Sequence, residues 1–189
     1  MARAQMIRTF ATLFVLMGPA WAAGPAWAAG SVPVWAETDC LAIAERIESV
    51  YAIPKGLLRA VMIARAEEAG LEGPNPYAVA TERHHAVLDT QEEAVAYVKR
   101  HRRDLTVRGG CALLKHNRHS KWLSIEELMD ARKGLDYLAR FLVRVKNKKG
   151  GWTEAVGYTY SKWRWNQKPF IERVACIGFG EKCAKEKQP

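Results

Sequence analysis

The sequence predicts a mainly α-helical domain behind a secretory leader. Three observations carry that expectation. Apolar residues recur at helical spacing through most of the chain beyond residue 37. Thr90–Glu93 and Ser124–Glu127 both show the hydroxyl-x-x-Glu pattern that opens helices. The first 36 residues run from basic to apolar to small, in the order of an export signal.

The leader comes first. Arg3 and Arg8 precede the apolar run Phe10–Met17, which is too short to span a bilayer, where about 20 apolar residues are needed. No transmembrane anchor is expected. A Gly-Pro-Ala-Trp-Ala-Ala hexamer then occurs twice in tandem, and offers cleavage sites at Ala20-Trp21-Ala22 and Ala26-Trp27-Ala28. Val34-Trp35-Ala36 is a third. The expected signal peptide is 1–29, with the cut as late as 36, and 37–189 forms a single domain. That localises the chain as secreted, in a periplasmic space. Two of the 29 basic residues and none of the 20 acids fall in the first 36, so the remainder holds 27 against 20, a net +7. Such a balance favours an anionic partner. Export argues against nucleic acid, although Trp122 lies among the basic residues that follow Lys99-Arg-His-Arg-Arg103.

The elements follow in order. Asp39 suits a helix N-cap, with Leu41, Ala44, Ile47 and Tyr51 on one face. Pro54 suits the first turn of a second helix, which carries Leu57, Leu58, Val61, Met62 and Arg65. Gly70, Gly73, Pro74 and Pro76 end it. His84–Asp89 alternates as a short strand would, which allows at most a small β-hairpin. Thr90 opens a helix to about His101 through a reciprocal capping box with Glu93. Ser124 opens another. A longer helix spans about Ala131–Lys146, with Leu135, Leu138, Leu142 and Val145 as its stripe, and Gly150-Gly151 breaks it. Thr153 starts a helix to about Tyr160, and Pro169–Val174 forms a last short one. Four cysteines, Cys40, Cys111, Cys176 and Cys183, suit disulfides in an exported chain. Three pairings are open, of which Cys176–Cys183 closes a small loop and leaves Cys40–Cys111. No spacing of Cys or His suits a metal, and no cofactor is expected.

Several strings stand in a known order: Tyr51-Ala-Ile-Pro-Lys-Gly-Leu-Leu-Arg-Ala60, Asn75-Pro-Tyr-Ala78, Thr90-Gln-Glu-Glu-Ala-Val-Ala-Tyr-Val98, Gly110-Cys111, Ser124-Ile-Glu-Glu-Leu-Met-Asp130 and Gly151-Trp-Thr-Glu-Ala-Val-Gly157. Over about residues 40–174 this order resembles the soluble lytic transglycosylase (SLT) domain of the lysozyme-like superfamily, in the small form that accompanies secretion and flagellar assemblies. The resemblance implies a lysozyme-like helical fold and peptidoglycan glycan strands as the partner. It also implies cleavage of the β-1,4 bond between N-acetylmuramic acid and N-acetylglucosamine, leaving a 1,6-anhydro sugar. One Glu would serve as acid and then as base, because the substrate's own 6-hydroxyl replaces the second group that glycosidases usually need.

Three strings depart from that pattern. Counting forward from Leu57-Leu58-Arg59-Ala60, the acid's position falls on Arg65, which cannot donate a proton at working pH. Counting backward from Glu68-Ala69-Gly70, Glu68 takes the role. It lies three residues on, about 300° around the helix and about 4.5 Å along it, so it can face the same cleft, whereas Glu67 points towards solvent. After Gly110-Cys111 the family's Gln and Asn positions hold Leu113 and Lys115. Near the end, Tyr158 and Tyr160 stand where the family's Tyr is expected, shifted by one position. The resemblance therefore assigns Arg65, Leu113, Lys115, Tyr158 and Tyr160 to substrate binding and Glu68 to any surviving catalysis. Three altered motifs favour a domain that binds the wall, or an assembly at the wall, without cutting. The alternatives are an active lytic transglycosylase using Glu68 and an assembly scaffold without glycan binding.

Overall fold

Asp39 starts the fold as expected. In the computed structural model, which describes residues 38–180, its carboxylate accepts from the Leu41 and Ala42 amides at 2.9 and 3.2 Å and opens α1, Cys40–Val50. That helix buries Cys40, Ile43, Ala44 and Ile47 along one stripe. Glu48 is buried with them, at 3% exposure. Its carboxylate accepts from the amides of Gly56 (2.7 Å), Leu58 (2.6 Å) and Arg59 (3.3 Å). These are the orphan donors of α2, Leu57–Glu68, so a side chain from the preceding helix supplies the cap. Pro54 thus lies in the connecting turn and not in the first turn of α2; Gly56, at φ +85°, makes the left-handed step between them.

Helix α2 is the centre of the described fold. Leu57, Leu58, Ala60, Val61, Met62, Ala64, Arg65 and Ala66 are all buried, so little of its surface meets water. α1 and the last helix, α8 (Lys168–Phe179), pack on it. That last helix runs five residues past Val174, where the sequence placed its end, to Gly180 at φ +65°.

The β structure exceeds the expected hairpin. Strands β1 (Ala78–Ala80) and β2 (His85–Val87) form that hairpin, and β3 (Arg108–Gly109) and β4 (Leu114–Lys115) extend it to an antiparallel sheet in the order β2-β1-β3-β4. Two-residue strands are too short to show a period of two. In the β3–β4 register Arg108 stands directly opposite Lys115.

Thr90 opens α3, Gln91–Arg100, by accepting from the Glu93 amide at 3.2 Å. The box is not reciprocal, because the Glu93 carboxylate accepts from Asp89 instead of Thr90. The single-turn helix α4, His116–His119, follows β4. Ser124 and Glu127 do form the complete box at the head of α5, Ile125–Leu128. Asp130 then caps α6, Ala131–Lys149, which buries Leu135, Leu138, Leu142 and Val145 and ends at Gly150. Helix α7, Trp152–Tyr160, packs against α6.

A disulfide joins Cys40 to Cys111 across 5.6 Å between Cα atoms, and ties the head of α1 to the β3–β4 connection. Cys176 is also disulfide-bonded. Cys183 and the leader at 1–29, with its later alternative at 36, lie outside the described residues. No helix among the described residues is long and apolar enough to cross a membrane.

Candidate functional site

Five elements converge on a cleft of about 250 Å³. The end of α2 supplies Arg65 and Glu68, β3 and β4 supply Arg108 and Lys115, and α4 supplies Arg118 and His119. The end of α7 closes it with Thr159 and Tyr160, followed by Ser161 and Asn166; Glu82 and Thr106 complete the lining. Four cations therefore face two carboxylates.

Arg65 forms the floor and is 3% exposed. Its guanidinium donates to the carbonyl oxygens of Leu113 (3.3 Å) and Thr159 (2.7 Å) and lies over the Phe170 ring at 5.5 Å. Burial pulls its pKa down to about 10, against the opposing pull of the Glu68 charge, so it stays cationic at neutral pH. Arg118 stands beside it and donates to the Thr159 and Tyr160 carbonyls at 3.1 and 3.2 Å, and also to that of Tyr158. Two cations thus meet the negative end of the α7 dipole, where cations are favoured.

Glu68 lies in the cleft, as the backward count requires. The Tyr160 hydroxyl donates to its Oε1 at 2.8 Å, and Arg108 pairs with its Oε2 at 3.5 Å. The pKa of the Tyr160 hydroxyl is raised, first by burial and then by the bond to Glu68, so it remains a donor. A proton donor to a glycosidic oxygen wants a dry apolar wall. Glu68 instead has a cation, a phenol and a side chain 34% exposed. Glu68 and Tyr160 also line a second hollow of about 400 Å³ with Phe170 and Arg173. Glu67, expected towards solvent, is held there: Arg173 donates to its Oε2 through two nitrogens at 2.7 and 2.8 Å.

The other expected binding residues divide. Arg65, Lys115 and Tyr160 line the cleft. Leu113 does not, which corrects its place as a binding side chain: it is 1% exposed and packs with Ala78 and Ala80, and only its backbone carbonyl reaches the site. A left-handed φ of +43° at Leu113 turns the side chain into the core. Tyr158 is also not part of the cleft wall, because its ring stacks on Phe141 at 6.4 Å under Arg118.

Sequence reasoning missed Arg108, Arg118 and His119 as site residues. The two arginines stood in a diffuse basic run, and nothing in the spacing marked them as convergent. His119 is 4% exposed, with Nδ1 2.9 Å from the Tyr137 hydroxyl and its ring edge-on to Tyr137 and Phe141. Burial, with Arg118 and Arg65 nearby, pulls its pKa from 6.5 to about 4, so it is neutral at pH 7. No cluster of three or more His, Cys, Asp or Glu suited to a metal occurs among the described residues.

No family model matches the chain, and no curated protein or solved structure is detectably similar to it.

Proposed function

We propose that this chain is an exported, SLT-like domain with a lysozyme-like fold that binds peptidoglycan strands without cutting them. The observation that carries the reading is Arg65. It stands at the position where the forward count expects the acid, and it is buried and bonded to two backbone carbonyls. A cation so held cannot protonate a leaving oxygen, and its loss would strip the Leu113 carbonyl of its donor.

Two further features support binding. Trp163 and Trp165 stack at 4.9 Å and are 60% and 70% exposed, in the segment that also brings Ser161 and Asn166 to the cleft. Flat exposed rings beside a polar cleft suit the apolar faces of sugars. The net positive charge suits an anionic wall. A secretion or flagellar assembly at the wall is the setting that the resemblance implies. The second reading, lytic cleavage by Glu68, draws on the position of Glu68 beside Tyr160 in the cleft.

Incubation of the processed protein with purified peptidoglycan, followed by sedimentation and mass spectrometry of the soluble fraction, tests both. Retention with no anhydro-muropeptides is the expected result. Anhydro products that vanish in Glu68→Gln would overturn it in favour of the second reading. Absence of retention would leave only a scaffold role.

A further inference from the structure

The cleft contains an arrangement that folding alone disfavours. Arg108 and Lys115 stand directly opposite each other across β3 and β4, and like charges in that position destabilise a sheet. Burial and the neighbouring Arg108 charge both lower the pKa of Lys115. The buried Nε atoms of Arg65 and Arg108 have no hydrogen-bond partner. Buried donors are nearly always satisfied, so two in one cleft indicate a place for an acceptor. The Lys115 ammonium makes no hydrogen bond or ion pair among the described residues.

One anion already sits there. The Glu68 carboxylate is held by the Tyr160 hydroxyl and by Arg108 at 3.5 Å. That ion pair is long, and its Glu68 side is 34% exposed, so the carboxylate is the partner that can be exchanged. The second carboxylate, Glu82, lines the cleft and forms no ion pair among the described residues. We propose that the cleft is a carboxylate-binding slot formed by Arg108, Lys115 and Tyr160 over Arg65, and that Glu68 is its internal occupant, displaced by a free carboxylate of an incoming ligand. The proposal rests on the wall-binding reading, in which the peptide stems of peptidoglycan supply such carboxylates. A carboxylate is preferred to a phosphate because the site as built holds a carboxylate, with one phenol and one guanidinium as its donors.

The test is titration calorimetry of the full processed protein with N-acetylmuramyl-L-alanyl-D-isoglutamine, its neutral methyl ester, inorganic phosphate and chitotriose. The acid is expected to bind, and the ester at least tenfold more weakly. Lys115→Ala removes no hydrogen bond or ion pair of the fold and is expected to weaken the acid at least tenfold, with an unchanged circular dichroism spectrum. Glu68→Gln empties the slot of its own charge and is expected to tighten binding about tenfold. Raising the salt from 50 to 500 mM should weaken it. Equal binding of acid and ester, chitotriose as good as the acid, or phosphate as tight as the acid would each overturn the carboxylate assignment. Weaker binding in Glu68→Gln would overturn its role as occupant. If whole peptidoglycan retains the protein while the acid gives no heat, the slot is wrong and the wall-binding reading stands. If the acid binds while peptidoglycan retains nothing, the reverse holds.

Discussion

Restoring the expected acid by Arg65→Glu gives a decisive test of the part Arg65 plays. In a site that had merely lost its acid, the substitution would fold and regain some lytic activity. The structure predicts otherwise. Arg65 donates two charge-assisted hydrogen bonds, to Leu113 and Thr159 carbonyls, from a buried position. Each such bond contributes roughly 1.5–3 kcal/mol. A glutamate there would lose both and set carboxylate oxygens against carbonyl oxygens, for a total loss of roughly 3–5 kcal/mol. For a domain of this size about 1 kcal/mol moves the melting temperature by roughly 2–4 °C, so a fall of roughly 6–20 °C is expected. Arg65→Lys keeps the charge and should lose roughly half as much. The assay is thermal unfolding followed at 222 nm, alongside mass spectrometry of peptidoglycan digests. A variant that melts within two degrees of wild type and releases anhydro-muropeptides would refute both the structural role and the non-catalytic reading.

Further outcomes follow from other parts of the molecule. The Cys40–Cys111 bridge closes a loop of 71 residues in sequence, so Cys40→Ser with Cys111→Ser should cost about 4 kcal/mol in urea unfolding; a cost below about 1 kcal/mol would show that the chain ends are already held by packing. His119 has its pKa lowered from 6.5 to about 4 in the fold, so the unfolded chain takes up the proton first as pH falls. Stability from this group is complete above pH 6.5 and drops by up to about 3 kcal/mol between pH 7 and pH 4, a slope that His119→Gln should flatten. Trp163 and Trp165 should report glycan by a change in tryptophan emission that Trp163→Ala and Trp165→Ala together abolish while melting stays within 2 °C, as for exposed side chains.

Much of the fold was legible because its signals are local. The α6 stripe, the Ser124–Glu127 box and the Asp39 cap each depend on residues within a few positions. The Glu48 cap was not, because its partners sit eight to eleven residues away, beyond a turn that no periodicity describes. The sheet was half legible: β1 and β2 are adjacent hairpin strands, but β3 reaches β1 only after an intervening helix. At the site, helix geometry was enough to bring Glu68 and Arg65 to one cleft, since both lie on α2. It could not place Leu113, which the family's motif put at the site and whose left-handed backbone turns the side chain into the core. Nor could it join Arg118 to Arg65, because their meeting point is a set of carbonyls some 40 residues from one and 94 from the other.

Why α7 needs those arginines is explained by how it ends. Helices α6 and α8 stop at glycines in the left-handed conformation, which let the backbone turn back on its last carbonyls. Helix α7 stops at Ser161 in an extended conformation, so the carbonyls of Tyr158, Thr159 and Tyr160 need donors from elsewhere. Arg118 reaches all three, and Arg65 shares Thr159 with it. A double-mutant cycle of Arg65→Met and Arg118→Met reads that sharing. Either single change leaves Thr159 one donor, whereas the double change leaves it none, at an added cost of about 1–3 kcal/mol for an orphaned buried carbonyl. Repulsion between the two cations acts in the same direction, since each single change relieves it and the double change relieves it only once. The double loss should therefore exceed the sum of the single losses by at least about 1 kcal/mol. Additivity within about 0.5 kcal/mol would mean that the arginines are held by something other than the end of α7, and the positive floor of the cleft would then need a different origin.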